Sequence, residues 1–235
     1  MALFGYDAKI FETFPDLVAG VVIARNIQNQ PNDAFTLQYQ TEQKAIGTLL
    51  ADRAPADIPQ FVAWRTAFRK FGVDPTQYRS ACEALFRRLT KKGDIPSINL
   101  LVDIGNLISI RHLIPVAAID IADIHGGLTV HFANGTETFT ILDGEETIDY
   151  PTMGEVIFSD NDKRVFARRW CWRQSNSSAA RERTADALIV MEAHHNNAPN
   201  DIPVALAELT NLLVQFTHAD CQTSILDGNN QTLGE

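Results

Sequence analysis

The sequence has no paired cysteines, no long apolar run and few bases relative to acids, and each shortage removes a class of protein. Its three cysteines, Cys82, Cys171 and Cys221, show neither CxxC spacing nor even pairing. That excludes a disulfide framework and a cysteine-built zinc site, and fits thiols kept in a reducing compartment. No apolar run approaches the roughly 20 residues that a membrane span needs, so no membrane association is expected. The opening MALFGYDAKIFETFPD carries acids early and has no basic stretch followed by a long apolar one. A secretory signal is therefore not expected, and a cytoplasmic location is. Twenty Lys and Arg stand against 29 Asp and Glu, a net charge of −9. As a bulk property that balance argues against nucleic acid, DNA included.

The distribution of charge tells a different story. Residues 60–95 hold eight bases (Arg65, Arg69, Lys70, Arg79, Arg87, Arg88, Lys91, Lys92) against three acids. Residues 163–183 hold seven (Lys163, Arg164, Arg168, Arg169, Arg173, Arg181, Arg183) against one acid, Glu182. The two segments together carry +11, and the rest of the chain −20. Segregation of this kind lets an acidic protein present a basic face to phosphates. Two solvated faces, with no partner, would give the same pattern.

Patterning places the elements. The run 17–27, LVAGVVIARNI, is rich in β-branched residues and predicts a buried strand. Helices are predicted over about 34–50, 60–71 and 75–92, the last with Asp74 as N-cap, Pro75 in its first turn and Gly93 as its stop. Tyr78, Cys82, Leu85, Phe86 and Leu89 form its apolar face, and Arg87, Arg88, Lys91 and Lys92 crowd its last turns, where the helix dipole favours cations. From Gly126 the character turns to β. Residues 128–132 and 136–142 flank Asn134-Gly135, a pair suited to a type I′ hairpin. Residues 155–159 and 164–172 predict a second strand pair, 185–192 a further strand, and 202–216 a closing helix with Leu206, Leu209, Leu213 and Phe216 inward. The polar end, 221–235, is expected to fray. Helices around a continuous β centre favour one α+β unit over two domains.

The motifs that carry chemistry begin at 100–120, where Val102, Asp103, Asn106, Pro115 and Asp120 stand at fixed spacing. Before them come Asp74-Pro75, Arg79-Ser80, Glu83-Ala84-Leu85, Arg87-Arg88, Lys92-Gly93, Ile95-Pro96 and Asn99; after them Gly154-Glu155, Arg169-Trp170-x-Trp172-Arg173-Gln174 and Thr184. As a set these resemble the B3/B4 tRNA-binding and editing domain of the phenylalanyl-tRNA synthetase β subunit and standalone proteins similar to it, over about residues 15–217. The resemblance implies a single α+β domain over 1–220, with β-sandwich-like central sheets flanked by helices, and a flexible tail over 221–235. It implies a protein that binds aminoacyl-tRNA and hydrolyses a mischarged ester in trans. The family's editing histidine falls on Ala117, and its Gly-Gly-Glu segment falls on 173–176, which holds no acid. Deacylase activity and non-catalytic binding of a free amino acid or related metabolite thus stand as alternatives.

An activated ester needs a pocket, donors for its carbonyl and a held water, without a covalent nucleophile. Asn106, Trp172, Arg173 and Gln174 are the candidate substrate-binding residues. On a strand, Trp170 and Trp172 would share one face, an aromatic wall beside Arg173 and Gln174 or simply core. Arg79, Arg87, Arg88, Lys91, Lys92 and Arg168 are the candidate RNA contacts, meeting phosphates that position without specifying. No metal site or cofactor is expected. Glu192, His194 and His195 lack a zinc or iron spacing, as do His218, Asp220 and Cys221, and no helix follows His125-Gly126-Gly127 to make a phosphate loop. Asp103 and Asp120 read as hydrogen-bonding residues.

Overall fold

A computed structural model describes residues 2–142 and 147–234. Strand β1 (Ala2–Tyr6) and helix α1 (Ala8–Thr13) precede β2 (Val18–Arg25), the buried strand expected from the apolar run. Helices α2 (Asp33–Leu50), α3 (Pro59–Lys70), α4 (Ala81–Lys92) and α5 (Leu100–His112) follow, then β3 (Val116–Asp120). The centre comprises β4 (Leu128–Phe132), β5 (Phe139–Thr140), β6 (Ile148–Asp149), β7 (Val156–Asp160), β8 (Val165–Arg168), β9 (Arg173–Gln174) and β10 (Ala187–Ala193). Helix α6 (Ala198–Thr217) and strands β11 (Asp220–Leu226) and β12 (Thr232–Gly234) complete an α+β fold of the expected class.

Two sheets form its centre, one ordered β12-β1-β4-β7-β8-β9 and the other β11-β2-β10-β3. Phe4, Val130, Phe158 and Phe166 of the first pack on Val21, Ile23, Leu188 and Val190 of the second. The other face of the second sheet, through Val22, Ile189 and Met191, packs on Ile104 and Leu107 of α5 and Leu209 and Leu213 of α6. Strand β10 is thus covered on both faces, which is why ALIVMEA runs apolar without alternating. Among the described residues no helix is long and apolar enough to cross a membrane.

Three expectations fail here, each because a side chain or a distant strand supplies the partner. The 128–142 hairpin does not form: β4 pairs with β1 and β7, and residues 136–142 supply only the short β5, paired with β6. The buried Glu137 carboxylate accepts from the amides of Asn134 (3.0 Å), Gly135 (3.0 Å) and Thr136 (3.1 Å), so the chain folds onto a side chain instead of onto β4. Helix α4 starts at Ala81 and not at Pro75. Asp74 closes a separate turn, accepting from Thr76 N at 2.8 Å, and Ala81 N is held by Cys171 O at 2.9 Å. Gly93, at φ 82°, ends α4 as expected. Finally, the segment expected to fray forms β11, paired with β2 from Asp220↔Arg25 to Leu226↔Ala19, and β12, paired with β1. An edge strand with a solvated face needs no apolar pattern, since backbone hydrogen bonds place it.

Candidate functional site

Strands β3 and β9 are each the outer strand of their sheet, and a cavity of about 370 Å³ opens between them under α4. Local sequence explains its walls. Asn99 caps α5 by accepting from Val102 N (3.1 Å), and Leu113, in the left-handed region at φ 56°, turns the chain through Pro115 into β3. A Cβ on Gly105 would stand 3.4 Å from Val116 Cγ1, so glycine lets α5 lie close on β3. These elements present Asn106, Ala117 and Ala118 to the cavity, and α4 adds Ala81, Ala84, Leu85 and Arg88. Gln174 Nε2 donates to Ala118 O (2.9 Å), tying the two sheet edges together at the mouth.

The remaining wall departs from the strand expected over 164–172. Strand β8 ends at Arg168, and Arg169 (φ 45°) and Trp170 (φ 62°) take left-handed conformations. Such backbone is uncommon for side chains of this size and persists only where the surroundings hold it. Glu155 does the holding, accepting from Arg168 Nε and Nη2 (both 2.9 Å) and from Arg169 N (2.8 Å). The turn breaks the strand alternation, so the two tryptophans have different fates. Trp170 is fully buried against Trp64, Phe14 and His194. Trp172 stands at the mouth, edge-on to Tyr78 (4.9 Å), with the Arg169 and Arg173 guanidinium carbons 4.4 and 4.8 Å from its ring centre. Arg169 lies between Tyr78 and Trp172, a cation over two π faces, and burial lowers its pKa from the ordinary guanidinium value.

All four candidate substrate-binding residues, Asn106, Trp172, Arg173 and Gln174, line this cavity together with Ala117. Sequence reasoning missed its most polar inner group. Glu192 on β10 is 3 % exposed and lines the same cavity. Its Oε1 accepts from Tyr6 Oη (2.6 Å) and from Trp170 Nε1 (2.7 Å). Burial pushes its carboxyl pKa up to about 7, against the pull of those two donors. The available signal was an acid inside a strand otherwise apolar throughout, since a buried charge is kept only where something holds it. Burial also pushes the Cys171 thiol well up, so that wall of the cavity offers no activated nucleophile.

The candidate RNA contacts separate into bound and open charges. Arg168 is 2 % exposed and paired with Glu155 and Asp149, a structural cation and not a surface one; the Glu155 carboxylate that shapes the turn draws it inward. Glu83 on α4, buried, gathers Arg65 (2.6 Å), Arg87 (2.8 Å) and Arg79 (3.9 Å). Burial raises the Glu83 pKa, but the Arg65 and Arg87 bonds overcome that and hold it below the usual carboxylate value. Arg88 lies 3.5 Å from Asp94, while Lys91 and Lys92 are exposed at the end of α4. The two basic segments do meet: Arg88 and Arg173 line one cavity, and Tyr78 packs on Trp172.

Among the described residues no cluster of His, Cys, Asp and Glu is arranged to hold a metal. His194 and His195 line a second hollow, with Lys70 and Asp201, on the far side of Trp170. His195 Nε2 meets Asp201 Oδ2 at 2.7 Å, and burial lowers the His194 pKa to about 3. Asp103 accepts from Ser97 Oγ and Ile98 N, and Asp120 from Thr184 Oγ1 and Ala122 N, the hydrogen-bonding parts expected of them.

A family model described as the B3/4 domain matches residues 63–218. The phenylalanine–tRNA ligase beta subunit of Pseudomonas savastanoi pv. phaseolicola is 38% identical over 56 residues, 24% of this chain and 7% of that protein. The same subunit of Shewanella oneidensis is 36% identical over 70 residues, 30% of this chain and 9% of that protein. The matched stretches therefore span under a tenth of these relatives. Among solved structures, an N-terminal fragment of the phenylalanyl-tRNA synthetase beta-subunit from Pyrococcus horikoshii aligns with a TM-score of 0.48 and 11% identity, over 93% of this chain and 49% of that one.

Proposed function

Because the chain belongs to the B3/4 domain family, we propose that its cavity receives the aminoacylated 3′ end of a tRNA and promotes hydrolysis of the ester in trans. One observation carries this reading. Asn106 of α5 and Trp172, Arg173 and Gln174 after β8, far apart in sequence, line a single cavity of about 370 Å³. That size suits a small ligand. Ala117, Ala118, Val116 and Val190 give the cavity an apolar wall suited to an amino-acid side chain, and Asn106, Arg173 and Gln174 add polar groups besides the inner Glu192. Asn106 and Arg173 are the donors for the ester carbonyl, and Trp172 offers the terminal nucleotide a ring to stack on. Arg88 at the rim and Lys91 and Lys92 beyond it meet the phosphates.

A second reading, a binder of a free amino acid or related metabolite with no RNA partner, is favoured by the ion pairs. Arg79, Arg87 and Arg168 are already engaged by Glu83, Glu155 and Asp149, which leaves fewer cations for a polyanion than the sequence promises. One assay separates the two. The protein is incubated with a panel of correctly charged and mischarged tRNAs and ester loss is followed, with Asn106→Ala and Arg173→Ala alongside. Accelerated loss for one aminoacyl group is expected, reduced about 100-fold by either substitution, the scale on which removing one carbonyl donor acts. No acceleration across the panel, with retained binding of a free amino acid, would establish the metabolite reading.

A further inference from the structure

We propose that the hollow on the far side of Trp170 is a second ligand site, built for the phosphate of a small organic phosphomonoester. It measures about 880 Å³, room for a small organic molecule. Helices α3 and α6, of 12 and 20 residues, both start at its wall, through Pro59 and Gln60 of one and Asn197 and Asp201 of the other. Neither start has a side-chain cap, whereas Asp7, Asn32 and Asn99 cap α1, α2 and α5. Two helix N-termini thus bring partial positive charge to one space, with first-turn amides that no capping side chain accepts.

Side chains add unmet groups of their own. His195 is 7 % exposed, and its Nδ1 is buried without a hydrogen-bond partner, as is Nε2 of His194. Asp201 lies 2.7 Å from His195 Nε2, which fixes the ring and keeps a proton on that nitrogen. Nδ1 is then the nitrogen left for a ligand, a donor once the ring is charged. Lys70 lines the same hollow, and its ammonium donates to Thr13 O and keeps two more hydrogens. After burial, the charges that depress the His194 pKa are those of His195 and Lys70, so the surroundings of the orphaned nitrogens are electropositive. An oxyanion seated there accepts from all three side chains.

Three carboxylates also border the hollow. Asp201 is engaged by His195 and by Asn197 Nδ2 (2.6 Å), while Asp16 and Asp57 are exposed, where solvent and salt screen them. A dianion gains more than a monoanion from Lys70, a charged His195 and two helix ends, which favours a phosphomonoester over a carboxylate. A phosphodiester of a nucleic-acid backbone carries only one charge. Pro15, Pro59, Val62 and Ala63 supply apolar wall for the rest of the molecule.

The probe is phenyl phosphate, titrated into the full chain at pH 7.5 and constant ionic strength, with benzoate and methyl phenyl phosphate as monoanionic comparisons. His194 stands edge-on to Trp64 (4.5 Å) and Trp170 (4.8 Å), so tryptophan emission reports occupancy, and Trp172→Phe removes the signal from the mouth of the other cavity. Imidazole nitrogen shifts of His194 and His195 locate the ligand. Phenyl phosphate is expected to bind at least tenfold more tightly than either monoanion and to move both imidazoles. Lys70→Met and His195→Gln should each weaken it about tenfold, the scale of one charge-assisted hydrogen bond. Lys70 is exposed, so its variant tests the site even where His195→Gln fails to fold. Equal binding of benzoate, imidazole resonances that stay still, or an affinity unchanged by Lys70→Met would overturn the inference. Equal binding of methyl phenyl phosphate would point to a nucleic-acid backbone, and loss of binding in Arg173→Ala alone would move the ion to the other cavity; either result overturns it too.

Discussion

Glu192 and His194 stand two positions apart, and burial moves them in opposite senses, the acid up to about 7 and the base down to about 3. Their effects on stability oppose each other accordingly. For Glu192 the folded pKa lies above the ordinary value of 4.5. Its contribution is fully present below that ordinary value and is lost as pH rises through about 7. For His194 the folded pKa lies below the ordinary 6.5, so its contribution is present above 6.5 and lost as pH falls towards 3. Urea titrations at pH 5 and pH 8 should therefore show Glu192→Gln gaining about 2 kcal/mol on the unsubstituted chain between the two. His194→Phe, which keeps an aromatic ring against Trp64, Trp170 and Phe14, should gain only in acid. A difference independent of pH in either variant would place these groups in water and not in the core. At this scale sequence was a fair guide to the cavity mouth, since Asn106, Trp172, Arg173 and Gln174 are polar or aromatic residues in recognisable motifs. It was a poor guide to the cavity floor. Glu192 was weighed only beside its histidine neighbours, and the partners that define it, Tyr6 and Trp170, are 186 and 22 positions away.

Elements with a strong internal period or an unbroken apolar run were legible: α2, α3, α6, β10 and the Gly93 stop all stand where patterning puts them. The failures share one cause, a distant or side-chain partner outbidding a local rule. Glu137 captures the Asn134-Gly135 amides, Cys171 O receives the first amide of α4, and Glu155 stops β8 after Arg168. Strand β11 is the clearest case, because most of its residues are exposed, with Leu226 buried, and pairing with β2 sets its position. That gives a direct test. Deleting residues 220–235 strips β2 of one neighbour and β1 of another, exposing two unsatisfied edges. The truncated chain should melt about 10 °C lower, or collect in the insoluble fraction. A truncated chain with an unchanged melting temperature would restore the frayed tail.

At the scale of the molecule, the fold converts a segregated sequence into a more neutral object than the sequence suggests. The two basic segments carry +11, yet buried carboxylates from within and beside them, Glu83, Glu155 and Asp160, gather Arg65, Arg87, Arg168 and Arg164. Outside those buried pairs stand Arg173 and Arg88 on the cavity wall, the latter 3.5 Å from the exposed Asp94, and the exposed Lys91 and Lys92 at the end of α4. Each phosphate neutralised on a single strand steepens the salt dependence by about 0.7 in log–log slope. Four contacts thus predict a slope near −3 for tRNA, shallower than the six candidate contacts would give. Filter binding of tRNA between low and physiological salt measures it, with Lys91→Ala/Lys92→Ala expected to remove about 1.4 of that slope. A slope near −4 or steeper would mean that ion pairs such as Arg87–Glu83 open on binding. A slope of zero would remove the phosphate contacts altogether and leave a cavity that reads only the amino acid. The rest of the chain carries −20 in sequence, and on the tRNA reading that excess of acid would confine RNA to the basic segments.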